Sequence, residues 1–161
     1  MSSFIAKYSA SSTGERTSMI LKSTAFNAMA LTCQPILFDA FLLLVAFQVK
    51  HFLADFPLQF SYMLKKFRPG WDFVMPLALH CLVHGILTLA IVLCVDYHLW
   101  WLGLLDFVIH FIMDRIKSGP RYLGRFKDST STWYWIAFGF DQMVHHLTHM
   151  MIVWIIIMNA N

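Results

Sequence analysis

Glutamate is nearly missing from this chain: Glu15 is the only one in 161 residues. Its absence from the rest argues against an H-E-x-x-H protease, and any acid–base group in the apolar segments has to be Asp or His. Charge of either sign is scarce. Charged residues make up 13% against 58% hydrophobic, where soluble domains run nearer a quarter charged. A chain this short has a high surface-to-volume ratio, so that deficit means an apolar exterior and not merely a rich core. A nucleic-acid-binding module, a secreted disulfide scaffold and a soluble Rossmann-type enzyme are all disfavoured. Three cysteines, Cys33, Cys81 and Cys94, lack C-x-x-C spacing; they read as small packing residues, with no disulfide framework or zinc knuckle. No G-x-S-x-G, Walker or P-S-G-H element occurs. What is abundant is grease: fifteen Phe, ten Met and six Trp, with a mean hydropathy of +0.61. The chain reads as an integral membrane protein.

Residues 1–34 differ from the rest. They are rich in Ser and Thr, carry Lys7, Arg16 and Lys22, and hold no apolar run of signal-peptide length. This is read as a flexible or peripheral segment, with 35–161 as the membrane domain. Four apolar runs follow, at about 36–56, 76–95, 99–114 and 133–158. At 1.5 Å per residue they reach roughly 24 to 39 Å, against about 30 Å of hydrocarbon. The expected fold is therefore all-α, a bundle of four transmembrane helices. Lys65, Lys66 and Arg68 lie between runs one and two, and Arg115, Lys117, Arg121, Arg125 and Lys127 between runs three and four. The positive-inside rule then puts both loops in the cytoplasm. Trp71, Trp100, Trp101, Trp133 and Trp135 fall near the interfaces, as an aromatic belt does.

Each run carries polar residues one helical turn apart: His51 and Asp55; His80 and His84; Asp106, His110 and Asp114; Asp141, His145 and His149. Spacing of i, i+4 keeps each set on one helical face. A lone Asp in hydrocarbon costs about 2.5 to 3.5 kcal/mol on insertion scales, so four such faces must turn inward and meet. Alternating helix direction brings them to one level, the cytoplasmic half; His98 and His149 fall outside that layer. Imidazole and carboxylate on facing helices suit a divalent metal, and His51, Asp55, His80, His84, His110, Asp114, Asp141 and His145 offer eight ligands. That number serves one or two ions, zinc first, with iron or manganese as alternatives. Asp55, Asp114 and Asp141 are the candidate catalytic carboxylates. Gln59, Asp106 and Gln142 are expected to orient ligands from behind. His98 and His146 read as helix-packing contacts.

The stretches K-H-F-L-A-D-F-P-L-Q (50–59), H-C-L-V-H-G (80–85), H-F-I-M-D-R-I-K (110–117) and D-Q-M-V-H-H (141–146) resemble, in that order, an uncharacterised family of small polytopic membrane proteins of bacteria and phages. The resemblance runs from about Ile36 to the end. It implies the membrane bundle and marks the His and Asp positions as the family's own motifs, without bringing an activity. A looser similarity, in architecture and in His/Asp usage, is to membrane-bound metal-dependent hydrolases.

The expected function is a metal-dependent, hydrolase-like activity in the bilayer on an anionic phosphate or lipid substrate, with Lys50, Lys65, Lys66, Lys117, Arg121 and Arg125 near the mouth of the centre. Two other classes stay open. One is an ion or proton transporter using the same residues. The other is a non-enzymatic membrane subunit or phage accessory protein acting through a membrane protein partner or as a homo-oligomer. No nucleic-acid partner is expected.

Overall fold

The computed structural model describes residues 19, 22–24 and 34–160; the expectations for the N-terminal segment 1–34 fall almost wholly outside these. Among the described residues the chain is all-helical, with no strand. Four long helices occur: α1 (Gln34–Asp55), α2 (Val74–Val95), α3 (Trp101–Ser118) and α4 (Thr132–Asn159). By its contacts the chain divides at Asp39/Ala40, inside α1, and everything below belongs to the second unit, Ala40–Asn161.

Local chemistry sets the helix ends. Pro57 follows the end of α1, where its ring forbids helix continuation. Pro76 stands in the first turn of α2, where no intrahelical N–H is required. Before α4, Thr130 donates to Asp128 from its backbone N (2.9 Å) and Oγ1 (2.7 Å), which holds the exposed Asp128 carboxyl below its ordinary pKa. Ser131 then caps the helix by accepting from Trp133 N at 3.3 Å. The third helix extends through Ser118, past the Asp114 boundary expected from hydropathy, and so takes Arg115 and Lys117 into its last turn. Cations there complement the helix dipole.

The bundle is inverted relative to a water-soluble fold. Large apolar side chains stand exposed on every helix, including Phe52, Ile86, Ile112, Leu147 and Trp154, while His80, His84, Asp106, His110, Asp141 and His149 are buried. Among the described residues α1 and α2 are long and apolar enough to cross a membrane. α3 fails that measure through Asp106, Asp114, Arg115 and Lys117, and α4 falls short through its three histidines and Gln142. The polar residues occupy the end of the bundle that bears the two basic loops, here called the basic end. The opposite end is closed by an apolar cluster that includes Phe47, Val92, Leu102, Ile152 and Ile156. Of the cysteines, Cys81 packs with Phe73 and Leu77 at the basic end. Cys94 is exposed, which corrects the expectation of a packing role, and Cys33 lies outside the described residues.

The α2–α3 crossing brings the two backbones closest, because glycines face each other there. A Cβ on Gly103 would lie 2.9 Å from Leu89 Cβ and 3.0 Å from the Gly85 carbonyl oxygen. Small residues let helices approach this way without a side chain between them, and the crossing sets His80 and His84 against His110 and Asp114. Gly139 in α4 has open space around it. Gly103→Ala is therefore expected to destabilise the bundle by about 1 to 3 kcal/mol. Gly139→Ala should be neutral or stabilising by about 0.4 to 1 kcal/mol. Thermal unfolding of the detergent-solubilised chain, read by circular dichroism, compares the two.

Candidate metal centre

All eight histidine and aspartate positions singled out as ligands converge at the basic end. Asp55, at the end of α1, faces α2: its Oδ1 lies 3.1 Å from His84 Nε2 and 3.4 Å from His80 Nε2, and its Oδ2 lies 3.3 Å from His51 Nε2. His80 Nε2 also stands 3.2 Å from Asp114 Oδ2 of α3. His145 of α4 brings Nε2 within 3.4 Å of Asp114 Oδ1 and 3.3 Å of Asp141 Oδ1. His110 sits between two neighbours, its ring centroid 4.0 Å from those of His84 and His145.

These separations carry chemical information. Metal–ligand distances of about 2.0 to 2.1 Å place the donors of a tetrahedral ion about 3.3 to 3.4 Å apart. A charge-assisted N–H···O bond is shorter, about 2.7 to 2.9 Å. The His–Asp distances lie near the former. Of those six, only the His84–Asp55 contact also has hydrogen-bond geometry. Three groups of three residues have ligand atoms within 4.8 Å of one another: Asp55, His80 and His84; Asp114, Asp141 and His145; and His51, His110 and His149. Asp141 Oδ1 is in addition a buried acceptor that no hydrogen bond satisfies. Metal-bound imidazoles commonly donate their other ring nitrogen to a carbonyl or carboxylate. His110 does so, its Nδ1 meeting the Asp106 carbonyl oxygen at 3.0 Å and the Asp106 carboxylate at 3.1 Å. The Nδ1 atoms of His51, His80, His84 and His145 are buried without such a partner, so those rings are held by packing and by the contacts of their Nε2 atoms.

The lysines are the feature that sequence reasoning misplaced. Lys50 lies deep in the bundle, its Nζ 2.6 Å from Asp106 Oδ2. Lys66 reaches Asp114 at 2.7 Å and Lys117 reaches Asp141 at 2.5 Å. Three ammonium groups thus pair with the three buried carboxylates, Asp106, Asp114 and Asp141, and the half-buried Asp55 is the fourth, with no lysine partner among the described residues. Its side chain is also the most exposed of the four, at 24%. Phe47 and Ala54, three and four residues away, are both fully buried, which puts Lys50 on the inward stripe of α1.

The Asp106 carboxylate is fixed from two other helices, by Lys50 of α1 and by Thr88 Oγ1 of α2 at 2.7 Å. Gln142 touches two candidate ligands, with Oε1 3.2 Å from His51 Nε2 and Nε2 donating to Asp141 at 3.0 Å. Gln59 instead donates to the Asp55 carbonyl on its own helix. His149 is fully buried, 3.3 Å from Lys50 Nζ, and belongs to the cluster rather than outside it. His98 is exposed in the α2–α3 connection. His146 lies beside the cluster, its ring centroid 5.5 Å from that of His51.

The centre opens at the basic end through a cavity of about 200 Å³, lined by Asp55, Asp114, Lys66, Lys117, Gln59 and Gln142 among others. Of the six basic residues expected near the mouth, Lys66 and Lys117 line it. Lys65 faces a separate cavity with Arg68, and Arg121 another with Arg115. Arg125 stands over the Phe126 ring at 4.7 Å.

Removing one member of a buried ion pair leaves the other uncompensated, at a cost of about 3 to 5 kcal/mol. Lys50→Met should lose stability on that scale. Lys50→Met combined with Asp106→Leu should recover most of it, because the stranded charge is gone. Unfolding temperatures of the two single variants and the double variant form the cycle that tests this.

No curated protein and no solved structure matches the chain. Residues 43–161 match a family described as "Protein of unknown function (DUF3307)". That stretch holds every residue of the cluster, from Lys50 to His149, together with α2, α3, α4 and all but the start of α1. The chain belongs to this family.

Proposed function

We propose that this protein is a membrane-embedded, metal-dependent hydrolase-like enzyme acting on an anionic substrate, its ion held by Asp55, His80 and His84. The observation that carries this reading is the charge left over. Asp55 alone among the four carboxylates of the cluster has no ammonium partner among the described residues, and two imidazole nitrogens stand at ligand-edge distance from its Oδ1. Two histidines and one carboxylate leave coordination positions open, as catalytic zinc and non-haem iron sites do. A second ion in the Asp114–Asp141–His145 group would have to displace Lys66 and Lys117, so one ion per chain is favoured over two.

A divalent ion in this group supplies a water activated at neutral pH and a positive charge for the developing oxyanion. The chain's own residues do the rest. Lys66 and Lys117 line the mouth and draw an anionic group toward it. Asp141, with its unsatisfied Oδ1, is assigned the role of base, and Asp114 holds His145 in register. Exposed apolar faces on all four helices support a bundle of four spans, with α3 and α4 tolerated because their polar groups face inward. The basic loops orient it with the mouth toward the cytoplasm of a bacterial inner membrane.

One observation favours a second reading. Lys50, Asp106 and His149 extend the polar contacts deeper than a hydrolytic site at the mouth requires, as an ion or proton path would. The apolar cluster around Phe47, Val92 and Ile152 lies beyond them and counts against passage.

Elemental analysis of the chelator-washed, zinc-reloaded chain in detergent should find about one equivalent of metal. Asp55→Asn and His84→Ala should cut this at least tenfold, and His98→Ala should leave it intact. Retention of metal by both cluster variants, or none in the parent, overturns the proposal. Ion flux into proteoliposomes without stoichiometric metal would establish the transport reading, and loss of both would leave contact with a membrane partner.

A further inference from the structure

The mouth of the centre continues into a second cavity, larger and of different character. It encloses about 390 Å³, within the range of small-molecule sites. Its walls are Phe67 from the α1–α2 connection, Leu123 and Phe126 from the α3–α4 loop, and Ala137 and Phe138 from the first turns of α4. Phe67, Lys117 and Phe138 line both spaces. Lys117 stands on the divide: its Nζ meets Asp141 on the mouth side and lies 5.0 Å from the Phe138 ring centroid on the other. Lys127 adds a further cation at the apolar cavity.

From this juxtaposition we propose that the ligand is an amphiphilic phosphate monoester, its phosphate in the mouth between Lys66 and Lys117 and its hydrocarbon chain over Phe138 in the apolar cavity. Each lysine gives one hydrogen bond to a carboxylate, and an ammonium has three N–H donors. Both can therefore hold phosphate oxygens without releasing Asp114 or Asp141. A soluble phosphate would use the mouth and leave about 390 Å³ of apolar-lined space unused. A lipid phosphate uses both. The proposal rests on the hydrolase reading for the reaction, though not for binding. In that reaction the oxygen of water bonds to phosphorus and the P–O bond to the lipid alcohol breaks. The departing oxygen takes a proton from the water, giving the free alcohol and inorganic phosphate.

The test uses the full chain in detergent with its metal content measured, titrated with dihexanoyl phosphatidic acid, glycerol 3-phosphate and inorganic phosphate. The lipid is expected to bind at least tenfold more tightly than either soluble phosphate. Ala137→Trp fills the apolar cavity and Leu123→Asp puts a charge in it; each should bring the ratio of lipid to glycerol 3-phosphate affinity close to one. Leu123 lies outside the long helices, so its variant serves if Ala137→Trp does not fold. Equal affinities in the parent chain, or an unchanged ratio in a folded variant, overturn the proposal and make the ligand a soluble phosphate or none. Selective binding of the lipid without its hydrolysis by metal-loaded protein would remove the hydrolase reading and leave the lipid site standing. Hydrolysis of glycerol 3-phosphate with no preference for the lipid would do the reverse.

Discussion

Four carboxylates in a bundle whose outside is hydrocarbon-like are the constraint on which the rest of this structure depends. Moving one carboxylate from water into a medium of low dielectric costs, in the idealised limit, about 20 kcal/mol. No single contact in the bundle offsets that. The fold answers with three close lysine–aspartate pairs drawn from different segments: α1 to α3, the α1–α2 connection to α3, and α3 to α4. Each pair is also a tether, because an ammonium that leaves its partner strands a charge on both sides. Connections that would otherwise depend on apolar packing are thereby tied together at the basic end.

Asp55 stands outside this scheme, and the proposed function rests on that difference. It meets imidazoles instead of an ammonium, at distances long for strong hydrogen bonds, and it lies where the bundle opens. In the proposed reading that uncovered negative charge would take a cation, and nitrogen donors on either side would favour the borderline-soft divalent metals over magnesium or calcium. Lys66 and Lys117 then have two roles, balancing Asp114 and Asp141 and presenting spare donors at the mouth. With the histidines neutral, the four aspartates and three lysines sum to one unit negative, and a divalent ion bound as proposed would make that one unit positive, a polarity suited to an anionic substrate.

How much of this was legible in the chain differs from element to element. The four helices follow from apolar runs broken by Pro57, Pro76 and the loop before Ser131, and their bounds shift little. α3 is the exception in length, since hydropathy ends it at Asp114 while the backbone continues through Ser118 with Arg115 and Lys117 in its final turn. The convergence of the eight His and Asp positions was readable from i, i+4 spacing because a polar residue in a greasy helix has one tolerable direction, inward. His149 obeys the same rule. Its distance from the basic end set it apart in the sequence, yet the histidine stripe of α4 is continuous and Lys50 meets it from α1. Lys50 and Lys66 looked like loop or rim cations, because a lysine near a helix end can extend toward water and its sequence neighbours do not say whether it does.

The sequence by itself determined that the chain forms apolar helices, that each carries one polar stripe, and that the stripes meet at the end bearing the basic loops. Periodicity and the cost of a charge in hydrocarbon are local properties, so they can be read one helix at a time. Only the tertiary structure decided which carboxylate is paired with which lysine, which one is left without, and that the mouth adjoins an apolar cavity. Those outcomes depend on where side chains distant in sequence end up within a few ångströms of each other, and electrostatic pairing falls off too quickly with distance for anything but the packed arrangement to specify it.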